Sequence, residues 1–315
     1  MPIVIIGGPT ASGKSALAIE FTRRLYDSHA GGIIINADAL QLYRDLSILT
    51  ARPDAAEEAA VPHRLYGVLD GAERGTVARW LQLAVAEIEA AQAAGLVPVL
   101  VGGSGMYIHT LMQGLAEVPD IAPDIRAATV ERHAALGGEA FRRELLTMDP
   151  TSTGLFAGDT QRLIRAYEVV KGTGRALRAW QQDKTAWSPP AHWRFVPFVL
   201  TPEREVLYDN CNHRFVKMLE KGALTEVKAL LARQLDPLLP IMKAVGVPEL
   251  ADLVTGQLSE AEAITRGQQA TRNYAKRQLT WFRHHLNGAL RVAPVTPATI
   301  DEMIVALKDR PYEIM

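Results

Sequence analysis

IVIIGGPTASGKSALAIEF, residues 3–21, is the stretch whose reading decides the fold. Four apolar, mostly β-branched residues, Ile3–Ile6, predict a buried strand, and the spacing of Leu17, Ala18 and Phe21 predicts a helix over Ser15–Leu25. Between them GPTASGKS matches G-x-x-x-x-G-K-[ST] at Gly8, Gly13, Lys14 and Ser15. Glycines let such a loop wrap a phosphate with its N–H groups inward. Lys14 brings a charge and Ser15 a hydroxyl for Mg2+. The motif holds a phosphate chain. It does not say whether that chain is split, transferred or released.

Working outward, GIIIN (residues 32–36) and VPVLV (97–101) read as further buried strands, the proline sitting near a strand start. Thr76 to Ala94 reads as an amphipathic helix with Thr76 as N-cap and Gly95 as stop. Strands alternating with helices predict an α/β fold, a P-loop NTPase-like parallel sheet core. From residue 115 to 191 helical spacing is broken by GG, DPTST and KGTG, with prolines at 119, 189 and 190. This segment is expected to be a helical insertion domain within a core made of residues 1–114 and 192–315. The core resumes with a strand in WRFVPFVLTP (193–202), then helices over 204–220, 224–232 and 259–286.

Bulk properties narrow the function. A chain of 315 residues with formal net charge −1 cannot coat nucleic acid wholesale, so any such binding uses local basic faces. Cys211 is the only cysteine, which excludes intrachain disulfides and cysteine-rich zinc sites. No leader and no membrane-length apolar run is read, so the expected compartment is cytoplasmic, with no membrane partner.

Three further features carry chemistry. The strand VPVLV ends in Gly102, Gly103 and Ser104 with no acid, whereas P-loop hydrolases usually hold their magnesium with an aspartate. The glycines either face the phosphate crevice or simply ease a turn. Asp38 lies just past the carboxyl end of the strand GIIIN, where α/β enzymes place reacting groups; it is either a general base or a helix cap. Between Ala263 and Arg291 there are six Lys/Arg, two His and no acid, so Arg272, Lys276, Arg283 and Arg266 could form an RNA-facing stripe or a solvated face. Gln161, Arg162 and Arg165 follow Asp159, a candidate N-cap, at helical spacing. Trp180, Trp187 and Trp193 read as packing aromatics, with base stacking as the other use.

GPTASGKS, NADALQLY…LTARP, PHRL, GGSGMY, DTQRLIRAYEV and YAKRQLTWFR, in that order, resemble the tRNA dimethylallyltransferase (tRNA isopentenyltransferase) family over nearly the whole chain. The resemblance implies transfer of a dimethylallyl group from dimethylallyl diphosphate to the N6 amine of the adenine 3′-adjacent to the anticodon, in tRNAs reading U-initial codons, with release of diphosphate. It implies that Gly8, Thr10, Ala11, Ser12, Gly13, Lys14, Ser15 and Arg214 hold the donor diphosphate, Ser15 with Mg2+. Asp38 would take the amine proton beside Ser104 and Lys14. It implies tRNA contacts from Asp38, Ala39, Leu40, Gln41, Ser104, Arg126, Gln161, Arg162, Leu163, Ile164 and Arg165, with Arg272, Lys276 and Arg283 as phosphate contacts, on a monomer. Ser104 stands where threonine is usual; Leu49, Arg52, Val247 and Pro248 also depart from the family pattern. The alternatives are a P-loop small-molecule kinase, an RNA-binding switch, and an adenylate prenyltransferase.

Overall fold

The structure is a computed structural model, and it describes residues 1–27, 31–183, 185–292 and 296–309. In chain order these form β1 (Pro2–Gly7), α1 (Lys14–Asp27), β2 (Gly32–Asn36), α2 (Ala55–Ala60), β3 (His63–Arg64), α3 (Val77–Ala93), β4 (Val97–Gly102) and α4 (Gly105–Gln113). Next come β5 (Leu115–Ala116), α5 (Pro123–Met148), α6 (Thr160–Thr173), α7 (Leu177–Gln182) and β6 (Thr185–Trp187). The chain closes with β7 (Arg194–Leu200), α8 (Arg204–Glu220), α9 (Ala223–Ala232), α10 (Val247–Val254), α11 (Glu260–His285), β8 (Leu290–Val292) and α12 (Pro297–Asp309).

Six strands pair in the order β3-β2-β4-β1-β7-β8, every pair parallel. β1, β2 and β4 are buried almost throughout, which is why their sequences are apolar runs and not alternating patterns. Residues of β1, β4 and β7 pack with Leu17, Phe21 and Leu25 of α1 and with Ile300 and Met303 of α12. Pro98 is the second residue of β4, as expected. Pro197 lies mid-strand in β7, but β8 pairs only with Phe198–Leu200, so at Pro197 the strand has a neighbour on one side alone.

The chain divides into two compact units, residues 1–112 with 190–315, and residues 113–189. In the second unit α5, bent at Gly137 where φ is 71°, and α6 enclose Phe141, Leu145, Leu163, Ala166 and Tyr167. Local capping follows the sequence: Thr76 Oγ1 accepts the Arg79 N–H at 3.1 Å, and Gly95 ends α3 at φ 74°. Asp159 is different. It occupies the N-cap position of α6 without capping it, because its carboxylate accepts the Phe156 N–H at 3.1 Å instead.

Candidate active site

The loop between β1 and α1 turns on left-handed backbone at Ala11 (φ 61°) and Gly13 (φ 88°), which coils Gly8–Ser15 around a central space. Two side chains distant in sequence hold it. Gln278, buried in α11, accepts the Thr10 N–H at 2.8 Å and donates to the Gly103 carbonyl at 3.0 Å, joining the phosphate loop to the turn after β4. Asn210 of α8 donates to the Ala11 carbonyl at 3.3 Å. The Ser12 hydroxyl is buried and has no hydrogen-bond partner among the described residues.

The glycines after β4 answer to packing. A Cβ at Gly102 would lie 2.0 Å from the Ala37 carbonyl oxygen, at Gly103 2.1 Å from the Gln278 amide, and at Gly105 2.2 Å from the Trp281 ring. Neither sequence reading of this turn by itself accounts for the residue type: Gly102 lines the crevice, but what demands glycine is the close approach of Ala37 and of α11. Ser104 Oγ accepts the Ala39 N–H at 2.9 Å, tying the end of β4 to the segment after β2.

That segment carries Asp38. No helix follows it, so the capping alternative falls away; Asp38 Oδ1 accepts the Leu40 N–H at 3.1 Å in a local turn. Asn36, fully buried, accepts the Asp38 N–H at 2.8 Å and donates to the Asp38 and Leu65 carbonyls, which fixes the backbone. Among the described residues nothing donates to Asp38 Oδ2.

Lys14, Ser15, Asp38 and Arg214 line one crevice. Leu49, Phe215 and Met218 supply an apolar wall. Lys14 Nζ donates to the Pro9 carbonyl at 3.1 Å. The side chain is only partly hidden by surface area, yet its ammonium sits deep in the crevice. Desolvation there pulls its pKa from 10.5 to about 8; Asp38 opposes this and Arg214 adds to it. Arg214 is shifted down for the same first reason, burial, with Asp38 again opposing. Burial likewise raises the phenols of Tyr66, Tyr107 and Tyr274, each also feeling the Asp38 charge. Two cations held in poor solvation without a carboxylate partner are a site prepared for an anion.

The loop opposite is braced by Glu226 of α9. Its carboxylate accepts the N–H groups of Ser47, Ile48 and Leu49 at 2.5, 2.9 and 2.9 Å. The Thr50 carbonyl then accepts from Arg214 at 3.3 Å and from Gln41 at 3.0 Å. Gln41 therefore spends its amide N–H groups on Thr50 and Ala51, and Arg52 directs its guanidinium at the Tyr43 carbonyl. Leu49 packs over Gly246, where a Cβ would come within 2.8 Å of it, and Val247 is buried beside Pro248 at the start of α10. Of these departures Leu49 and Val247 are buried in apolar packing, Arg52 makes polar contacts and Pro248 is exposed.

The remaining sequence candidates divide by burial. Ala39 and Leu40 are half-buried beside Asp38, and Leu40 lines the crevice. Leu163 packs in the core of the second unit and Ile164 is buried, leaving Gln161, Arg162 and Arg165 as the side chains this turn of α6 can present. Arg266, Lys276 and Arg283 are exposed on α11. Arg272 is half-buried and bonded to Asn212 and Gln269, so it belongs to the seam between α8 and α11 more than to a free stripe. Trp193 is buried against Phe195, and Trp180 packs under the Arg175 guanidinium at 4.7 Å. Gln278 and Glu226 were not singled out from sequence, because nothing local marks a partner this remote.

Residues 41–285 match the family model described as IPP transferase. The chain belongs to this family. It is 51% identical over 294 residues to the tRNA dimethylallyltransferase of Rhodospirillum centenum, covering 93% of this chain and 92% of the relative. The enzyme of that name from Rhodospirillum rubrum is 50% identical over 286 residues, 90% of this chain and 86% of the relative. Among solved structures, the tRNA isopentenylpyrophosphate transferase of Bacillus halodurans superposes with TM-score 0.69 at 30% identity, covering 98% of this chain and 97% of the other. A eukaryotic dimethylallyltransferase acting on tRNA superposes with TM-score 0.74 at 24% identity over 93% of this chain and 73% of the other, a likeness of fold. The sheet is thus the P-loop NTPase-like core of an IPP transferase, and the kinase alternative is disfavoured.

Proposed function

We propose that this chain transfers a dimethylallyl group from dimethylallyl diphosphate to the N6 amine of the adenine next to the anticodon of tRNA. The observation that carries the chemistry is one crevice with Lys14 and Arg214 against the phosphate loop and Asp38 with a free carboxylate oxygen. The donor diphosphate lies in the loop, where the backbone N–H groups that are not already engaged, with Lys14 and Arg214, take up its charge. As the allylic C–O bond breaks, its electron pair leaves with the diphosphate and a C–N bond forms to the adenine. Asp38 takes the amine proton. Leu49, Phe215 and Met218 exclude water from the five-carbon group.

Among the described residues no three His, Cys, Asp or Glu gather as a metal site. The donor set at the loop is the Ser15 hydroxyl, which fits Mg2+ taking most of its ligands from diphosphate and water. When bound there, the ion would supply further charge neutralisation to the leaving group. For the tRNA, Gln161, Arg162, Arg165 and Arg126 are the proposed anticodon-loop contacts, with Lys276 and Arg283 to phosphates. Turning the adenine out of its stack is required before any side chain can reach N6. No described helix is long and apolar enough to cross a membrane.

The test is incubation with labelled dimethylallyl diphosphate, Mg2+ and unmodified tRNA, in parallel with AMP and with ATP. Label enters tRNA, and with Asp38→Asn of unchanged fold it enters about 10²–10⁴ times more slowly. Label in AMP alone, or phosphate release from ATP alone, overturns the reading.

A further inference from the structure

Glu168 in α6 is fully buried, yet it carries a carboxylate that no step above uses. Arg126, in the first turn of α5, donates from Nη1 to Glu168 Oε1 and Oε2 at 3.1 and 3.2 Å. Arg165, one turn before Glu168 on its own helix, donates from Nη1 to Oε1 at 2.7 Å. Both arginine side chains remain 41% exposed. Each thus fixes one terminal nitrogen against the same carboxylate, and among the described residues no other acceptor meets the remaining N–H groups of either.

A buried carboxylate is costly, and stability alone would be served as well by an apolar residue. What it does supply is orientation. Two guanidiniums that would otherwise sample many rotamers are pinned side by side, their free edges outward, in the geometry that suits a phosphate or a base edge. On the same helix Leu163 and Tyr167 pack with Phe141 in the core of this unit, which anchors α6.

We propose that Glu168 is a positioning residue for tRNA: it holds Arg126 and Arg165 as a prearranged fork that grips one element of the anticodon-loop backbone. This rests on the functional reading above. Glu168 does not touch RNA; it acts through the two arginines. It carries a charge of opposite sign to theirs, so it weakens long-range attraction while it improves the fit of the docked complex. Loss of Glu168 therefore acts on affinity for tRNA and leaves the chemistry at the other substrate alone.

The test is a mutant cycle on the full chain, with tRNA binding and steady-state kinetics. Glu168→Gln raises Kd and KM for tRNA about tenfold, midway in the range for directly coupled residues, with donor KM and kcat at saturation unchanged. In an Arg126→Ala/Arg165→Ala background the same change has no further effect. An additive loss in that background, or an equal fall of kcat at saturation of both substrates, overturns the proposal. Should Glu168→Gln fail to fold, Glu168→Asp keeps the charge one methylene short. An intermediate loss of tRNA affinity supports the fork, and unchanged affinity overturns it. If the wild-type chain binds no tRNA, the functional reading itself fails. If it does and the double arginine variant binds equally, only the fork fails.

Discussion

Gln278→Ala is the perturbation that most directly probes how the phosphate loop is built. The side chain is buried and joins Thr10 N–H to the Gly103 carbonyl across 268 and 175 residues of sequence. Truncation removes two hydrogen bonds, each with a net worth of about 1 kcal/mol, and leaves their partners in a space that water reaches poorly. The lost methylene and amide volume adds about 1 kcal/mol more. Destabilisation of about 3 kcal/mol follows, a fall of roughly 4–5 °C in Tm for a chain of this size. The loop then samples conformations in which its N–H groups do not converge. If about nine-tenths of molecules are so displaced, donor KM rises about tenfold. Differential scanning calorimetry reads the first effect, and donor titration at saturating tRNA the second. A lowered Tm with donor KM unchanged would show that Gln278 braces the core without shaping the loop, and the reasoning would be wrong.

Asp38→Asn keeps the local turn and loses the proton acceptor, so single-turnover transfer slows by about 10²–10⁴ while donor binding holds or improves. The Lys14 ammonium ionises at about 8 in the free protein, and a bound diphosphate favours the protonated form and raises that value. Donor affinity is therefore full below pH 8 and weakens up to about tenfold per pH unit above it until the bound pKa is reached; calorimetry shows this, and Lys14→Ala flattens it. Gly105→Ala pushes a methyl into the Trp281 ring, which lies 2.2 Å from its ideal position, and costs about 1–3 kcal/mol in chemical denaturation. Glu226→Ala releases the N–H groups of Ser47–Leu49, and donor KM rises several-fold as the Thr50 carbonyl loses its hold on Arg214, with an Arg214→Ala background abolishing the effect.

The parts of this molecule legible in its sequence are those written in contiguous residues. β2 spans Gly32–Asn36 and α8 Arg204–Glu220 as the apolar pattern and helical spacing indicate, and Thr76 caps α3 because the cap is made three residues away. The crevice assembled from Lys14, Ser15 and Asp38 follows from their places past the carboxyl ends of β1 and β2, the parallel strands on either side of β4. β8 is three residues long and β3 two, too short for periodicity to register. The need for glycine at 102, 103 and 105 arises from Ala37, Gln278 and Trp281, two of them on a helix far along the chain. Arg272 looks in sequence like its exposed neighbours. Only the approach of Asn212 from α8 shows that it is engaged.

The grip of Gln278 on Thr10 also bears on the order of synthesis. The phosphate motif is translated 268 residues before Gln278, which braces it, and Phe282, whose ring covers Gly7, follows later still on α11. A prematurely terminated product would carry the whole GPTASGKS signature and still lack the brace that aligns its amides. Such fragments would hold prenyl donor poorly, so competence waits until α11 has been made.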